Sequence, residues 1–329
     1  MISSTFCVLP WMHLATNASG NLRVCCNSTP GKNFITKSDG SPYKLHKDNL
    51  KEAWNSKVYK NIRKQMVDNE QPEMCQRCFR EESVGLKSAR QAWNSKWQQD
   101  KEYNEDAPFE IKYVDLRLGN LCNLKCRMCG PTDSHKWYDD FVKITGKTEY
   151  KDTHEKIKLT KNAKGKWHTN QYYWFQSNNR YWSNFEQYAP NAKKIYIVGG
   201  EPLIIKEHQE SLERLVASGK SKNIQLEYNS NLTMVPDRLV YLWEQFKQIR
   251  IGVSIDGTGS VFNYQRTPAK FDAVYKNMMT LQTNDRINLK AWFAFTVTPY
   301  NVFHMPEFMK WKLVESGLTK FNPLTGMRP

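Results

Sequence analysis

Short runs of hydrophobic residues recur along the last two thirds of the chain, separated by longer segments with mixed polarity. The five clearest runs cover residues 111–118, 194–198, 224–228, 249–255 and 290–298, and a sixth could begin at Lys320. Short apolar runs that alternate with helix-length segments are typical of parallel β/α units. The pattern therefore predicts an α/β fold with five or six parallel strands.

Most of these runs end in glycine or in small polar residues. Gly-Gly-Glu-Pro at 199–202 follows the run at 194–198, Asn-Ser-Asn at 229–231 follows the next, and Asp256-Gly257 follows the run at 249–255. The loops after parallel strands converge at one edge of the sheet, where barrel enzymes place their sites. The functional site is expected at this edge.

The N-terminal part of the chain has a different pattern. Residues 13–25 predict a β-hairpin that turns at Gly20, and apolar residues spaced three to four apart predict a helix from about 49 to 69. The chain is then polar through Glu105. We predict a small domain over 1–90, a linker over 91–108 and a second domain over 109–329. Because little sequence follows the sixth run, a truncated C-terminus is expected.

Composition limits the possible classes of protein. The 329 residues carry 48 Lys and Arg against 33 Asp and Glu, a formal net charge of +15, and 40% are hydrophobic. No apolar run is long enough for a membrane span and the N-terminus lacks signal-peptide features, which predicts a cytoplasmic protein without membrane association. The positive charge could attract nucleic acid or an acidic protein.

Eight cysteines occur in groups, and the densest group is Cys122, Cys126 and Cys129, with the spacing CX3CX2C. Thiolates are the usual ligands of iron–sulfur clusters, and three of them leave one iron of a [4Fe-4S] cube open for another ligand. A zinc site or buried thiols are the alternatives. Zinc sites usually complete four ligands, and no fourth ligand lies nearby in the sequence.

The CX3CX2C motif after a predicted strand resembles the signature of the radical S-adenosylmethionine (SAM) superfamily. Met128 departs mildly from it, because an aromatic residue is commoner there. The resemblance implies a partial (β/α)6 TIM-like barrel and a [4Fe-4S] cluster whose open iron chelates SAM. It also implies reductive cleavage of SAM to methionine and a 5'-deoxyadenosyl radical, which abstracts hydrogen from a substrate.

Further residues resemble the cofactor contacts of that family. The Gly-Gly-Glu-Pro segment matches the family's motif for binding the methionine ammonium group, Ser254 and Asp256 match a position near the ribose, and Arg266 is similar to an arginine that pairs with the methionine carboxylate. Asn231 and Thr296 are lesser candidates. Ordinary turn or capping roles remain alternatives for these positions. The candidate cofactor residues are Gly199, Gly200, Glu201, Pro202, Asn231, Ser254, Asp256 and Arg266.

The N-terminal cysteines are similar to those of SPASM and twitch domains, which bind auxiliary [4Fe-4S] clusters in radical SAM enzymes. The shared features are Cys-x-x-Pro-Trp, Gly-X4-Cys, an Ala-Trp-Asn-Ser helix and a closing CX2C. They imply one auxiliary cluster, with Cys26 as an alternative to one of its ligands and a four-cysteine zinc site as the alternative metal. The implied ligands are Cys7, Cys25, Cys75 and Cys78.

An insert from about 142 to 190 is rich in lysine in its first half and in aromatic residues in its second. Basic and aromatic residues together could bind a nucleic-acid strand. They could also form a hairpin lid over the barrel, which we favour because loops at this edge commonly cover barrel sites.

These observations lead to two hypotheses. The first is a radical SAM enzyme with one auxiliary cluster, acting on a peptide or protein substrate and receiving electrons from a donor such as flavodoxin or ferredoxin. The second is a basic nucleic-acid-binding protein that uses zinc or iron–sulfur only as a structural staple and does not turn over SAM.

Overall fold

A computed structural model describes residues 3–28, 34–152, 155–176 and 178–322. The strands, in chain order, are β1 His13–Thr16, β2 Leu22–Arg23, β3 Tyr113–Arg117, β4 Glu149–Asp152, β5 Glu155–Lys158, β6 Thr160–Lys161, β7 Trp167–His168, β8 Lys194–Val198, β9 Gln225–Ser230, β10 Gln248–Ser254, β11 Leu289–Ala294 and β12 Phe321–Asn322. The α-helices are α1 Leu50–Trp54, α2 Lys57–Val67, α3 Gln76–Ser83, α4 Ala89–Trp97, α5 Tyr138–Thr145, α6 Asn179–Tyr188, α7 Lys206–Ala217, α8 Asp237–Trp243, α9 Gly259–Gln265, α10 Phe271–Thr283 and α11 Met305–Lys310.

The chain forms two compact units. Unit 1 comprises the described residues within Met1–Arg117, Lys151–Lys156 and Gln171–Ala192, and unit 2 those within Leu118–Tyr150, Ile157–Asn170 and Lys193–Pro329. The domain boundaries proposed from the sequence stay a prediction. None of the helices in the described residues is long and apolar enough to cross a membrane.

In unit 1, β1 is the central strand, antiparallel to β2 and parallel to β3. The predicted hairpin is confirmed, and Gly20 turns it with a φ of +76°. The helix predicted over 49–69 is two helices instead. It is interrupted because the Ser56 side chain caps a second helix, accepting a hydrogen bond from the backbone N–H of Tyr59 at 3.4 Å. Ser and Asn compete with helix interiors by bonding nearby backbone groups.

Helix α4 occupies the start of the segment assigned as a linker. Ser88 and Gln91 form a capping box at its N-terminus, each side chain bonding to the backbone N–H of the other. Such a box satisfies two N–H groups that a helix start leaves without partners. Only one residue of α4, Arg90, is buried, so its sequence carries little of the apolar periodicity that marks a helix.

Most of the aromatic residues of the insert belong to the core of unit 1. Trp174, Phe175, Tyr181, Phe185 and Tyr188 are all buried. The indole N–H of Trp174 donates to the Ala18 carbonyl at 2.8 Å, which ties the insert to the hairpin turn. Rings buried in this way cannot stack on the bases of a nucleic acid, which removes the main support for the second hypothesis. The lid interpretation stays a prediction.

Unit 2 contains five parallel strands in the order β12-β11-β10-β9-β8. Helices lie between consecutive strands along the chain, so the predicted parallel β/α organisation is confirmed. Nearly all of the buried residues in β9, β10 and β11 are apolar, as is typical of a parallel sheet that is covered by helices. The predicted strand at 290–298 ends earlier, at Ala294, and residues 295–298 form a loop at the carboxyl edge.

A matched pair of phenylalanines tests the packing of unit 2. Phe308 is 1% exposed and contacts the rings of Phe293, Phe295 and Trp311, whereas Phe303 is 91% exposed. We expect Phe308→Ala to lower the free energy of unfolding by about 3–5 kcal/mol because it leaves a cavity. Phe303→Ala should change it by less than about 0.5 kcal/mol. Urea unfolding measures both, and equal midpoints for the two variants would contradict this packing.

Candidate functional site

The cysteine trio lies in the loop at 122–129 at the start of unit 2. Cys122 and Cys126 are buried and Cys129 is partly exposed. The Cys129 N–H donates to the Cys126 carbonyl at 3.1 Å, which bends the loop and brings the two thiols together. The hydrogen bond between the thiols lowers the pKa of Cys126 and raises the pKa of Cys129.

Backbone hydrogen bonds hold the cysteine loop in place. The N–H groups of Lys125 and Arg127 donate to the carbonyls of Thr267 and Gln265, each at 2.8 Å. The Cys122 N–H donates to His135 Nδ1 at 3.2 Å. Because the segment around Arg266 pairs with the loop on both sides of Cys126, the arginine is positioned by backbone geometry.

The Gly-Gly-Glu-Pro turn after β8 packs directly on the start of the cysteine loop. Gly200 has a φ of +54°, and a Cβ atom there would lie 2.1 Å from the Leu121 carbonyl oxygen. The next residue, Glu201, donates its N–H to that same carbonyl at 2.7 Å. Only glycine permits this approach, so the sequence requirement at 200 is steric. Gly199 also has a positive φ, of +100°.

The Glu201 carboxylate joins this turn to the end of β9. It accepts hydrogen bonds from the Leu203 N–H at 3.2 Å, the Ser230 hydroxyl at 2.8 Å and the Asn231 N–H at 2.7 Å. Glu201 is 1% exposed. Burial raises its pKa to about 7, although the three hydrogen bonds act in the opposite direction. Pro202 begins the short 3-10 turn that follows.

Two buried side chains reach the cysteine sulfurs. Asn231 Nδ2 lies 4.0 Å from Cys122 Sγ and also donates to Asn123 Oδ1 at 3.0 Å. Arg266 Nη1 lies 3.9 Å from Cys126 Sγ. An amide and a guanidinium are donors that stabilise thiolates and the sulfurs of a cluster. The structure therefore brings these two predicted residues together with the trio.

Asp256 acts through Arg266. The Asp256 side chain is fully buried, its Oδ2 lies 2.6 Å from Arg266 Nε, and its Oδ1 accepts from the Thr296 N–H at 2.8 Å. Ser254 ends β10 and is partly exposed, and no side-chain hydrogen bond is found for it within the described residues. Of the predicted cofactor side chains at this edge, that of Ser254 is thus left open to a ligand within the described residues.

Sequence reasoning missed several residues that support the site. Gln265 Nε2 and Asn301 Nδ2 both donate to the Asp256 carbonyl, at 2.9 and 3.0 Å. His135 is another, because its Nδ1 accepts the Cys122 N–H. The position of Gln265 beside Arg266 and that of Asn301 in a loop after β11 were the available signals, and neither is specific.

In unit 1, the four N-terminal cysteines assigned as ligands line one cavity, which is partly open to solvent. Burial raises the pKa of each of the four thiols, and for Cys7 and Cys75 the neighbouring thiols raise it further. Such thiols are protonated without a metal and become thiolates when a cationic centre binds, which couples loading to proton release. Arg90 lines the same cavity, where its guanidinium forms an ion pair with Glu82.

Cys26 differs from Cys25 in its neighbours. The Cys26 residue is exposed, yet burial of its sulfur, together with the neighbouring Asp115 carboxylate, raises the pKa of its thiol. Cys25 instead interacts with Cys78 and Cys75, both members of the closing CX2C. Both thiols line the cavity, but the contacts favour Cys25 as the ligand.

Across the described ranges, no three His, Cys, Asp or Glu side chains converge as the ligands of one metal ion. The thiolates of a [4Fe-4S] cube each bind a different iron and so are spread more widely than the ligands of a zinc ion. Four cysteines that line one cavity fit the donor set of such a cluster, and so do three cysteines flanked by Asn231 and Arg266.

Comparison with known families decides the identity. Residues 116–288 match the family model of the radical SAM superfamily, which is more than half of the chain. The chain belongs to the radical SAM superfamily. Residues 7–79 match the SPASM iron–sulfur cluster-binding domain. The radical SAM match spans the trio, the Gly-Gly-Glu-Pro turn and Arg266, and the SPASM match spans the four N-terminal cysteines.

Solved structures similar to this radical SAM chain include native anSMEcpe with bound AdoMet, at 17% identity and a TM-score of 0.36, covering 61% of this chain and 48% of that one. They also include Streptococcus suis SuiB, at 13% identity and a TM-score of 0.37, covering 94% of this chain and 59% of that one. For SuiB bound to the precursor peptide SuiA, the identity is 11% and the TM-score is 0.34, and the match covers 83% of this chain and 56% of that one. The chain spans less than two thirds of these proteins. No curated protein matches it.

Membership confirms several predictions together. The fold class is an open barrel of parallel strands and helices, and the cofactors are a [4Fe-4S] cluster and SAM. The SPASM match confirms an auxiliary iron–sulfur domain at the N-terminus. The individual residues assigned to each cofactor remain predictions.

Alanine substitutions at Gly200 and Gly219 distinguish steric crowding of the cysteine loop from backbone strain at the substituted residue. Gly200 and Gly219 both have positive φ, but a Cβ at Gly219 would meet nothing within 4 Å. Gly219→Ala should cost about 1–2 kcal/mol of stability and leave the radical SAM cluster intact. Gly200→Ala should push the cysteine loop away and lose that cluster. Iron content and the EPR signal after anaerobic reconstitution measure this, and a fully loaded Gly200→Ala would contradict the contact.

The raised pKa of Glu201 predicts a pH dependence of stability. The folded state holds this proton up to about pH 7, whereas the unfolded chain releases it near the ordinary 4.5. Stability should therefore fall as pH rises from about 4.5 to 7, and Glu201→Gln should remove up to about 3 kcal/mol of that change. Urea unfolding without SAM between pH 5 and 8 measures the difference. Parallel curves for the two proteins would contradict an ionisation there.

Proposed function

We propose that this chain cleaves SAM reductively and uses the resulting 5'-deoxyadenosyl radical to abstract hydrogen from a peptide or protein substrate. The observation that carries the proposal is the convergence of three thiols, Asn231 and Arg266 on one buried spot at the carboxyl edge of parallel strands. Three ligands leave an iron open, and the flanking side chains are suited to an ionic ligand of that iron.

The cluster, when bound, supplies the electron that splits SAM into methionine and the 5'-deoxyadenosyl radical. The chain's own residues orient SAM. All three hydrogen bonds to the Glu201 carboxylate come from protein donors, so we assign the methionine ammonium to the backbone carbonyls of the turn beside it, at Gly199 and Gly200. Their positive φ angles make such an approach possible.

Arg266 is assigned to the methionine carboxylate. Its Nε is committed to Asp256 while Nη1 points at the cysteine loop, so the guanidinium is fixed between a buried anion and the cluster site. A guanidinium held in this way can bind a carboxylate with little further loss of side-chain entropy. Asp256 is then a positioning residue, and the partly exposed Ser254 is the better candidate for contact with the ribose.

The substrate class rests on the SPASM-type domain, since relatives with such domains modify peptides, proteins or small carbohydrate-like molecules. Within unit 1 the auxiliary cluster would be held by Cys7, Cys25, Cys75 and Cys78, where it could relay electrons or anchor substrate. A one-electron donor such as flavodoxin or ferredoxin is required. Eight free cysteines suit a reducing compartment, so we propose the cytoplasm.

Three cysteine variants test the proposal. After anaerobic reconstitution the wild-type chain should bind about eight irons, as two four-iron cubes. Cys126→Ala should lose about four of them and all 5'-deoxyadenosine formation under dithionite, because an alanine cannot ligate the SAM cluster. Cys78→Ala should lose the other four yet still cleave SAM. Chromatography of 5'-deoxyadenosine and an iron assay measure both effects.

Cys26→Ala is the matched control, since its thiol lies beside Cys25 but pairs with Asp115. It should keep both clusters and the cleavage activity. Production of 5'-deoxyadenosine by Cys126→Ala at the wild-type rate would overturn the proposed chemistry.

A further inference from the structure

An exposed aromatic patch lies beside the cysteine loop in unit 2. The Tyr264 patch, as we call it, consists of Arg127, Tyr264 and Tyr300, which are in contact, together with the exposed residues that lie within three positions of Tyr300 in the sequence: Val297, Val302 and Phe303. Tyr264 and Tyr300 are 49% and 58% exposed, and their ring centroids lie 5.6 Å apart in an edge-on contact. Exposed apolar side chains grouped in this way commonly mark an interaction surface.

We propose that the Tyr264 patch is the docking surface for an acidic one-electron carrier protein that reduces the SAM cluster. The inference rests on the proposed function and names the partner of the same site. Arg127 connects the two, because it lies in sequence between the ligands Cys126 and Cys129 while its guanidinium carbon lies 4.7 Å from the centroid of the Tyr264 ring.

The cysteine loop has a buried side and an exposed side. Asn231 and Arg266 approach the thiols on the buried side, which is the side assigned to SAM. Arg127 is exposed, Cys129 is partly exposed, and the Arg127 N–H is fixed to the Gln265 carbonyl next to Tyr264. A carrier seated on the patch would thus approach the cluster through the short stretch of backbone that joins Cys126 to Cys129.

The positive charge of the chain and of Arg127 indicates an acidic protein as the partner that binds the Tyr264 patch. The chain carries a net charge of +15, which favours acidic partners at long range. No carboxylate within the described residues forms an ion pair with Arg127, so its charge is available to a partner at the patch. An apolar centre with a charged rim and modest area is typical of transient electron-transfer complexes. Flavodoxins are carriers of this acidic class.

The experiment compares reduction by a protein with reduction by a small molecule. A bacterial flavodoxin in its hydroquinone form is mixed with the anaerobically reconstituted chain in a stopped-flow instrument, and bleaching of the cluster is followed. We expect Arg127→Glu to slow this reduction by roughly tenfold or more at low ionic strength, with the difference shrinking as salt is added. Reduction by dithionite should be unchanged.

Two further variants complete the test. Tyr300→Ala removes a ring of the patch away from the cysteine loop and should also slow reduction by flavodoxin, which keeps the test decisive if Arg127→Glu fails to load its cluster. Lys222→Glu is the matched charge reversal. Lys222 is exposed before β9, at the opposite end of the strands, and its reversal should change the rate by less than about twofold.

Wild-type rates with flavodoxin in both Arg127→Glu and Tyr300→Ala would overturn the docking surface. The docking surface would also be overturned if these two variants bound a peptide substrate more weakly but were reduced by flavodoxin at the normal rate, since the patch would then bind peptide. These outcomes are distinct from failure of the proposed function. That failure would appear as a wild-type chain whose cluster is reduced, by flavodoxin or dithionite, without cleaving SAM.

Discussion

The contact between the Gly200 turn and the Leu121 carbonyl is the constraint on which the site depends. It joins the end of β8 to the start of the cysteine loop with no side chain between them. The cysteine loop has little regular structure of its own, so its conformation must come from its neighbours. A backbone contact sets the distance between thiols and strand ends more rigidly than side-chain packing could, since no rotamers are involved.

Buried polar groups connect this contact to the rest of the site. Glu201 ties the turn to β9, while Asp256 and Arg266 tie the end of β10 to the other side of the loop. Removal of one partner of a buried ion pair typically costs about 3–5 kcal/mol, because the remaining charge is left uncompensated. Within the described residues, these groups bond mostly to protein, which leaves Ser254 and the Gly199–Gly200 carbonyls as the groups open to a ligand.

Membership of the radical SAM superfamily was predictable because its sequence signals are local. Three cysteines within eight residues, a glycine pair directly after a strand and a closing CX2C each have a physical reason that does not depend on distant contacts. The parallel strands were predictable for the same reason, since their apolar runs are short and bounded by turn residues.

The features that the sequence did not predict depend on which segments become neighbours in the folded chain. The carboxylate of Glu201 could have faced a ligand. It bonds Ser230 and Asn231 instead, and nothing in the sequence places those residues beside it. The aromatic residues of the insert looked equally suited to a nucleic-acid surface, and only the fold shows Trp174 and Tyr188 buried in a core. The break at Ser56 was similarly hidden, because the apolar spacing continues through it.

The central claim is that the trio holds a cluster with one open iron, to which SAM binds directly. The most direct measurement is the EPR spectrum of the reduced cluster in a Cys78→Ala chain, recorded before and after addition of SAM. The account predicts that the g values shift when SAM is added, since the ligands of one iron change. A cluster spectrum that stays the same in saturating SAM would contradict it.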